Sequence, residues 1–130
     1  MKTADYWIKK LNLRKHPEGG YYRETYRSKG KIMGKAFPAA FGGALPFGTA
    51  IYFLLAAGEF SAFHRIASDE LWHFYEGSPV TLYVIDLKGR LSKSRVGSEG
   101  EKGEVFQYAV KGGFWMAAEV EKEKGYALVG

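Results

Sequence analysis

Short strand-like segments separated by turn-forming residues occupy most of this chain of 130 residues. Each segment is apolar or alternates between apolar and polar residues, and turn-forming residues such as Gly, Pro, Asp or Ser separate the segments. The segments are 21–27, 49–56, 64–66, 70–75, 80–86, 90–96, 104–110, 114–120 and 126–129. Many short strands at near-regular spacing are typical of an antiparallel sandwich or barrel. The sequence therefore predicts an all-β fold.

One helix is predicted, near the start of the sequence. Its apolar residues recur at i, i+3, i+4 and i+7, and they are Ala4, Trp7, Ile8 and Leu11. Thr3 stands before this pattern, where an N-cap belongs. About two and a half turns bury too little area for a membrane-surface helix, so we expect the helix to pack on the barrel exterior. We expect one domain, with the helix in residues 1–14 and the barrel in residues 19–130.

Composition narrows the class of protein. The chain has no cysteine, which rules out disulfides and fits a reducing interior. No run approaches the roughly 20 apolar residues of a spanning helix, and charges near the N-terminus interrupt any signal-peptide core. The net charge of +5 would suit nucleic acid, but scattered basic residues interleaved with glutamate are typical of a solvated surface. We therefore expect a cytoplasmic protein without a membrane or nucleic-acid partner.

The candidate site lies in residues 58–77. His64, His73 and Glu70 occur here, on two strand-like runs separated by the turn-forming residues 67–69. Folded as a hairpin, the two strands bring His64 and Glu70 to one face. His73 is three residues from Glu70, so the alternation of side chains along a strand places it on the opposite face unless a bulge intervenes.

Other side chains are candidates for ligand binding. They are Tyr22, Glu24, Tyr52, Trp72 and Trp115. Tyr22 and Glu24 share one face of their segment, which either lines a pocket or forms a half-exposed edge strand. Trp72 shares the face of Glu70. Aromatic surfaces with a few polar groups suit sugars and other ring-shaped molecules, although each aromatic residue is equally consistent with core packing.

Two stretches have no strand or helix pattern. Residues 16–20 contain Pro and two Gly and are expected to break the chain between elements. Residues 28–49 are rich in Gly, Lys, Ala and Pro, and such an irregular stretch is either a lid over a site or a solvent loop joining strands.

The spacing of Gly58, His64, Glu70 and Gly77 resembles the first motif of the cupin superfamily, with Ile66 in place of its second histidine. Further stretches are similar to an uncharacterised, RmlC-like cupin branch, and they are residues 16–27, 50–55, 61–64, 69–75, 115 and 125–130. The resemblance implies a jelly-roll barrel. It also implies a homodimer formed by sheet extension.

The same resemblance bears on metal binding. A typical cupin site uses three histidines and one glutamate, with the third histidine in a second motif. That motif is similar to residues 110–119, where Lys111 replaces a proline and Met116 falls on the histidine position. Only His64 and Glu70 then remain as ligands, and thioether sulfur is a poor ligand for the divalent ions of such sites. The resemblance thus implies no certain cofactor, with a divalent metal bound weakly if at all.

Three functions remain open from the sequence. The first, favoured because the metal ligands are depleted, is binding of a small carbohydrate-like molecule around His64 and Glu70. The second is a sugar or nucleotide-sugar epimerase or isomerase with His64 as general base. Residues 20–24 are similar to the end of the RmlC-type epimerase signature, and His64 falls at the position of the base. The third is a divalent-metal-dependent enzyme.

Overall fold

A computed structural model describes residues 2–32, 45–121 and 125–130. The helix α1 spans Ala4–Lys10, and a 3-10 helix spans Gly100–Lys102. The strands are β1 Arg14–Lys15, β2 Tyr21–Arg27, β3 Lys31–Ile32, β4 Leu45–Pro46, β5 Thr49–Ala56, β6 Phe60–Arg65, β7 Glu70–Gly77, β8 Val80–Ile85, β9 Leu91–Val96, β10 Gln107–Val110, β11 Trp115–Val120 and β12 Tyr126–Val129. Most of the predicted 28–49 loop lies outside the described residues. No helix in the described ranges is long and apolar enough to cross a membrane.

The strands form two main sheets and a short two-stranded sheet. The six-stranded sheet has the order β1-β2-β5-β12-β7-β10, and the four-stranded sheet has the order β6-β11-β8-β9. Strands β3 and β4 form the third sheet. Every strand pair in the described ranges is antiparallel. The predicted all-β jelly roll with a short N-terminal helix is confirmed.

Helix α1 packs on the outer face of the six-stranded sheet, as predicted. The Thr3 hydroxyl accepts a hydrogen bond from the Tyr6 N–H at 3.2 Å and caps the helix. The Trp7 indole N–H donates to the Tyr126 hydroxyl at 2.9 Å, which fastens the helix to β12. The helix is shorter than the predicted 1–14 segment. It ends before Asn12, whose φ of 52° is left-handed and incompatible with another helical turn.

Strand β5 is buried on both faces. Phe53 and Leu55 point inward to the core between the two main sheets, where Leu82 of the four-stranded sheet also lies. Leu54 points outward into a second cluster beneath α1, together with Leu128 of β12. Because both faces of β5 are covered, its sequence is a continuous apolar run without alternation.

A buried carboxylate fixes the loop between β9 and β10. Glu104, whose side chain is 2% exposed, accepts a hydrogen bond from the Glu99 backbone N–H at 2.9 Å and one from Arg95 Nη2 at 3.1 Å. Burial by itself raises the pKa of Glu104, but these two donors outweigh burial and the net pKa lies below its ordinary value. The folded protein therefore favours the ionised carboxylate.

Replacing Glu104 by glutamine is expected to lower the free energy of unfolding by about 1–3 kcal/mol at neutral pH, because the variant weakens a charge-assisted bond to Arg95. A depressed carboxyl pKa stabilises the fold above the unfolded pKa, and this contribution is lost as the pH falls through the folded pKa. The difference from wild type should therefore shrink at about pH 3.

The matched control is Glu99→Gln. Glu99 forms an exposed ion pair with Lys102 in the same loop, and its loss should change stability by less than about 0.5 kcal/mol. Urea unfolding of both variants at neutral and acidic pH measures these effects. Equal stability of the two variants at neutral pH would contradict the structural role of Glu104.

Candidate functional site

His64 lies on the inner face of the four-stranded sheet. It pairs with Met116 across β6 and β11, next to an irregularity in that ladder. The His64 Nδ1 atom lies 2.8 Å from the Ala62 carbonyl oxygen. A carbonyl only accepts, so Nδ1 carries the proton in this contact and the Nε2 lone pair of the neutral ring remains available. His64 can therefore accept a hydrogen bond or a proton at Nε2.

Glu70 and Trp72 lie on the inner face of the opposite sheet. The hairpin predicted for the strands of His64 and Glu70 is therefore wrong, because β6 belongs to the four-stranded sheet and β7 to the six-stranded sheet. Glu70 pairs with Val110, and Trp72 pairs with Tyr108, across β7 and β10. Burial raises the pKa of Glu70, and the opposing influence of His64 and of the Trp72 indole does not cancel this effect. The charge of His64 opposes this rise in pKa, which agrees with two side chains that face the interior from opposite sheets.

The Trp72 indole N–H is buried without a hydrogen-bond partner in the part of the chain that the structure describes. The side chain is 6% exposed, and its ring contacts Phe53 edge to face at 6.0 Å between centroids. The N–H lies near enough to Glu70 to favour the charged carboxylate, but the geometry is not that of a hydrogen bond. Buried polar groups without partners are rare in folded proteins, so this donor requires an explanation.

His16 is a fourth inner residue, one that was not predicted as part of the site. Its ring packs edge to face on Tyr22 at 4.9 Å and on Phe53 at 5.7 Å between centroids. The Glu18 backbone N–H donates to His16 Nδ1 at 3.0 Å, so Nε2 carries the ring proton. Burial lowers the pKa of His16, and the nearby His64 lowers it further against the opposing charge of Glu18. His16 is therefore a neutral side chain that presents an N–H donor.

The position of His16 depends on the segment 16–20, which connects the two main sheets. The His16 N–H donates to the Gly20 carbonyl at 2.8 Å and closes the turn. The Ala62 N–H donates to the Glu18 carbonyl at 2.9 Å and joins the segment to β6. From the sequence, these residues are only a break between elements. The bond to β6 joins residues far apart in the sequence, so no local pattern indicates it.

The other predicted ligand-binding residues separate into inner and outer positions. Tyr22 packs against the inner core. Glu24 pairs across the ladder with Ile51 of β5, which packs against the inner core. Its carboxylate nevertheless forms an exposed ion pair with Arg27 at 2.7 Å. Tyr52 lies on the outer face in the cluster beneath α1, and Trp115 is 43% exposed with its ring 5.3 Å from the Arg65 guanidinium carbon.

Of the candidates for ligand binding, Tyr52 and Trp115 therefore do not face the inner core. Tyr52 precedes the inward-facing Phe53, and Trp115 precedes the inward-facing Met116, so the alternation of a strand turns both away from the core. His73 is also on the outer side, opposite Gln107, and its backbone exchanges hydrogen bonds with Gly130 at 2.8 and 2.9 Å. Four of the side chains discussed therefore face the interior of the barrel, and they are His16, His64, Glu70 and Trp72. We call these four residues the inner site.

A family model described as Cupin superfamily (DUF985) matches residues 5–130. The chain belongs to the cupin superfamily. A hypothetical protein from Leishmania major is 36% identical and superposes with a TM-score of 0.87, over 98% of this cupin and 78% of that chain. A protein from Shewanella oneidensis is also 36% identical, with a TM-score of 0.86 over 99% of this cupin and 75% of that chain.

More distant structures share the fold alone. Bacillus subtilis oxalate decarboxylase aligns with 92% of this cupin and 27% of its own chain, with a TM-score of 0.55 at 17% identity. No match was found among curated proteins. The jelly roll is therefore of the cupin type, and its activity must be argued from the inner site.

The inner site does not fit the metal centre that the resemblance describes. In the described ranges, no three side chains of His, Cys, Asp or Glu are arranged to hold a metal ion. Met116 lies directly across the ladder from His64, so a soft thioether occupies the position of the expected third histidine. His64 and Glu70 are left as the two donors of that set.

Proposed function

We propose that this cupin binds a small carbohydrate-like molecule at the inner site. The unpartnered N–H of Trp72 supports this proposal most directly, because it is a buried donor beside the half-buried carboxyl group of Glu70. A hydroxyl or carbonyl oxygen of a ligand would satisfy this donor, and burying it without a partner costs about 1–3 kcal/mol.

The two histidines present complementary groups to such a ligand. His64 offers an acceptor at Nε2, because its Nδ1 is committed to Ala62. His16 offers a donor at Nε2, because its Nδ1 is committed to Glu18. A sugar hydroxyl donates one hydrogen bond and accepts others, so it matches a site that provides one group of each kind. The rings of Tyr22 and Phe53 add apolar surface beside His16.

Replacing Trp72 by phenylalanine tests the proposal. The variant keeps the apolar ring and removes the indole N–H, so we expect at least a tenfold loss of binding, about the value of one well-placed hydrogen bond. Small molecules extracted from the purified protein are identified by mass spectrometry, and their affinity is then measured by calorimetry. Trp115→Phe is the matched control and should leave affinity unchanged. Equal affinities of the two variants would contradict the proposal.

An isomerase with His64 as general base is the alternative that the site also supports. The observation in its favour is the Nε2 of His64, which has no hydrogen-bond partner in the part of the chain that the structure describes, on a ring held by the Ala62 carbonyl. In the same assay, a His64→Ala variant that still binds the extracted molecule but no longer converts it would establish this alternative. The divalent-metal enzyme, with His64 and Glu70 as the residues that would hold the ion, stays a prediction from the sequence, because no three donors among the described residues are arranged to hold a metal ion. The homodimer stays a prediction.

A further inference from the structure

A cavity of about 380 Å³ lies at the end of the barrel where β8, β9 and β10 meet. Its volume falls within the range of about 300–1,000 Å³ that is usual for sites of small molecules. Apolar and aromatic side chains form part of its wall, and they are Val84, Leu91, Tyr108, Val110 and Phe114. Asp86, Arg90 and Lys111 also line it, which gives the cavity a charged side.

Strand pairing places this cavity next to the inner site. Val110 pairs with Glu70, and Tyr108 pairs with Trp72, across β7 and β10. On the opposite sheet, Val84 pairs with Met116, which in turn pairs with His64. Tyr108 and Val110 are therefore direct neighbours of two inner-site residues, and only β11 separates Val84 from His64, so the cavity adjoins the inner site.

The charged side of the cavity contains an oriented guanidinium group. Arg90 Nε donates to Asp86 Oδ2 at 2.9 Å, and Asp86 Oδ1 accepts the backbone N–H groups of Lys88 and Arg90 at 2.8 and 2.9 Å. The backbone N–H groups hold the Asp86 carboxylate in one orientation, and this carboxylate orients the Arg90 guanidinium through Nε alone. Neither Nη atom of Arg90 has a hydrogen-bond partner within the described ranges.

Lys111 supplies a second positive charge at the same cavity. Within residues 2–32, 45–121 and 125–130 its ammonium group forms no ion pair. Asp86 neutralises one of the two cations, so the lining carries a net charge of +1. The two Nη nitrogens of Arg90 and the ammonium group of Lys111 can bind a compact anion. The aromatic rings of the cavity wall can pack against a ring that carries this anion.

We propose that this cavity binds the anionic group, a carboxylate or a phosphate, of the molecule that the inner site holds. This inference rests on the proposed function and narrows the ligand to an acidic or phosphorylated sugar-like molecule. The Arg90 side chain is 71% exposed, so solvent moderates the attraction, and we expect the anionic group to improve affinity about tenfold.

The test uses three probes that share a sugar ring: methyl glucoside, glucuronate and glucose 6-phosphate. Calorimetry with the wild-type protein should show at least one anion binding about tenfold more tightly than the neutral glucoside. Comparison of the two anions distinguishes a carboxylate from a phosphate. Equal affinity of all three probes, or no measurable binding of either anion, would overturn the proposal.

Variants separate the cavity from the inner site. Arg90→Gln and Lys111→Gln should each reduce the preference for the anion and leave the affinity for the glucoside unchanged. Lys93→Gln is the control, because Lys93 lies on β9 with its ammonium 5.1 Å from the Tyr83 ring and does not line the cavity. An equal effect of the Lys93 variant would mean that the preference reflects the net charge of the protein, and the proposal would fail.

The same measurements distinguish this failure from that of the proposed function. If Trp72→Phe weakens all three probes while the Arg90 and Lys111 variants have no effect, the inner site binds the ligand and the anion cavity is rejected. If the Arg90 and Lys111 variants remove binding and Trp72→Phe does not, the cavity is retained and the proposed function is rejected.

Discussion

Replacing Gly19 by alanine is expected to destabilise the protein by about 3 kcal/mol or more, the largest effect that we predict for a single methyl group. Gly19 has a φ of +113°, which side-chain-bearing residues rarely adopt, and a Cβ built there would lie 2.0 Å from the Phe60 carbonyl oxygen. Because this oxygen belongs to the backbone of β6, it cannot rotate away. The segment 16–20 must then separate from β6, and His16 leaves the inner site with it.

Gly58→Ala is the matched control for this substitution. Gly58 also has a positive φ, of +81°, but a Cβ added there would meet no atom within 4 Å from the described residues beyond its two chain neighbours. Its replacement should therefore cost only backbone strain, about 1 kcal/mol. Urea unfolding measures the two stabilities, and NMR of the histidine rings reports whether His16 remains near His64. Equal destabilisation by the two substitutions would show that contact with β6 does not hold the segment.

Replacing Glu70 by glutamine is expected to stabilise the protein at neutral pH. Burial raises the pKa of Glu70 above its ordinary value of 4.5, so the fold favours the neutral carboxyl group. The stability that this preference provides is fully present below the unfolded pKa and is lost as the pH rises through the folded pKa. Glutamine has nearly the same shape without the charge, and the variant should melt at least about 3 °C above wild type at neutral pH.

The pH dependence distinguishes this explanation from a general improvement in packing. The difference between Glu70→Gln and wild type should disappear at about pH 3, where both side chains are neutral. Glu101→Gln, at an exposed glutamate, is the control and should match wild type throughout. Thermal melts across this pH range measure both. A Glu70 variant that is less stable than wild type at neutral pH would show that its carboxylate is a stabilising group.

The all-β fold and the choice of His64 and Glu70 as candidate site residues follow from local patterns. Short alternating segments separated by turns predict antiparallel strands. The hairpin predicted across residues 67–69 is wrong, because β6 belongs to the four-stranded sheet and β7 to the six-stranded sheet. The two side chains therefore face the interior from opposite sheets, and strand alternation alone does not indicate which sheet a strand joins. The same alternation explains Trp115: it precedes Met116 on one strand, so only one of the two can face inward. The assignment of Met116 to a ligand position in the family motif already implies that Trp115 faces outward.

Two features of the site could not be predicted in this way. Tyr52 lies on a strand that is buried on both faces, and a continuous apolar run does not indicate which side chains face inward. His16 lies in a segment without periodicity, and its position depends on a hydrogen bond between Glu18 and Ala62 of another sheet. A contact between residues more than 40 positions apart leaves no local pattern in the amino-acid sequence.

The central position of β12 has a consequence for synthesis on the ribosome. This strand lies between β5 and β7. Among the described residues, the half-sheet near His16 and the half-sheet with Glu70 are joined by backbone hydrogen bonds only through β12, so they remain separate until residues 126–129 are translated. Before then the nascent chain exposes two unpaired strand edges, which are prone to aggregation. A ribosome that stalls just before Tyr126 therefore carries every residue of the inner site but no assembled site.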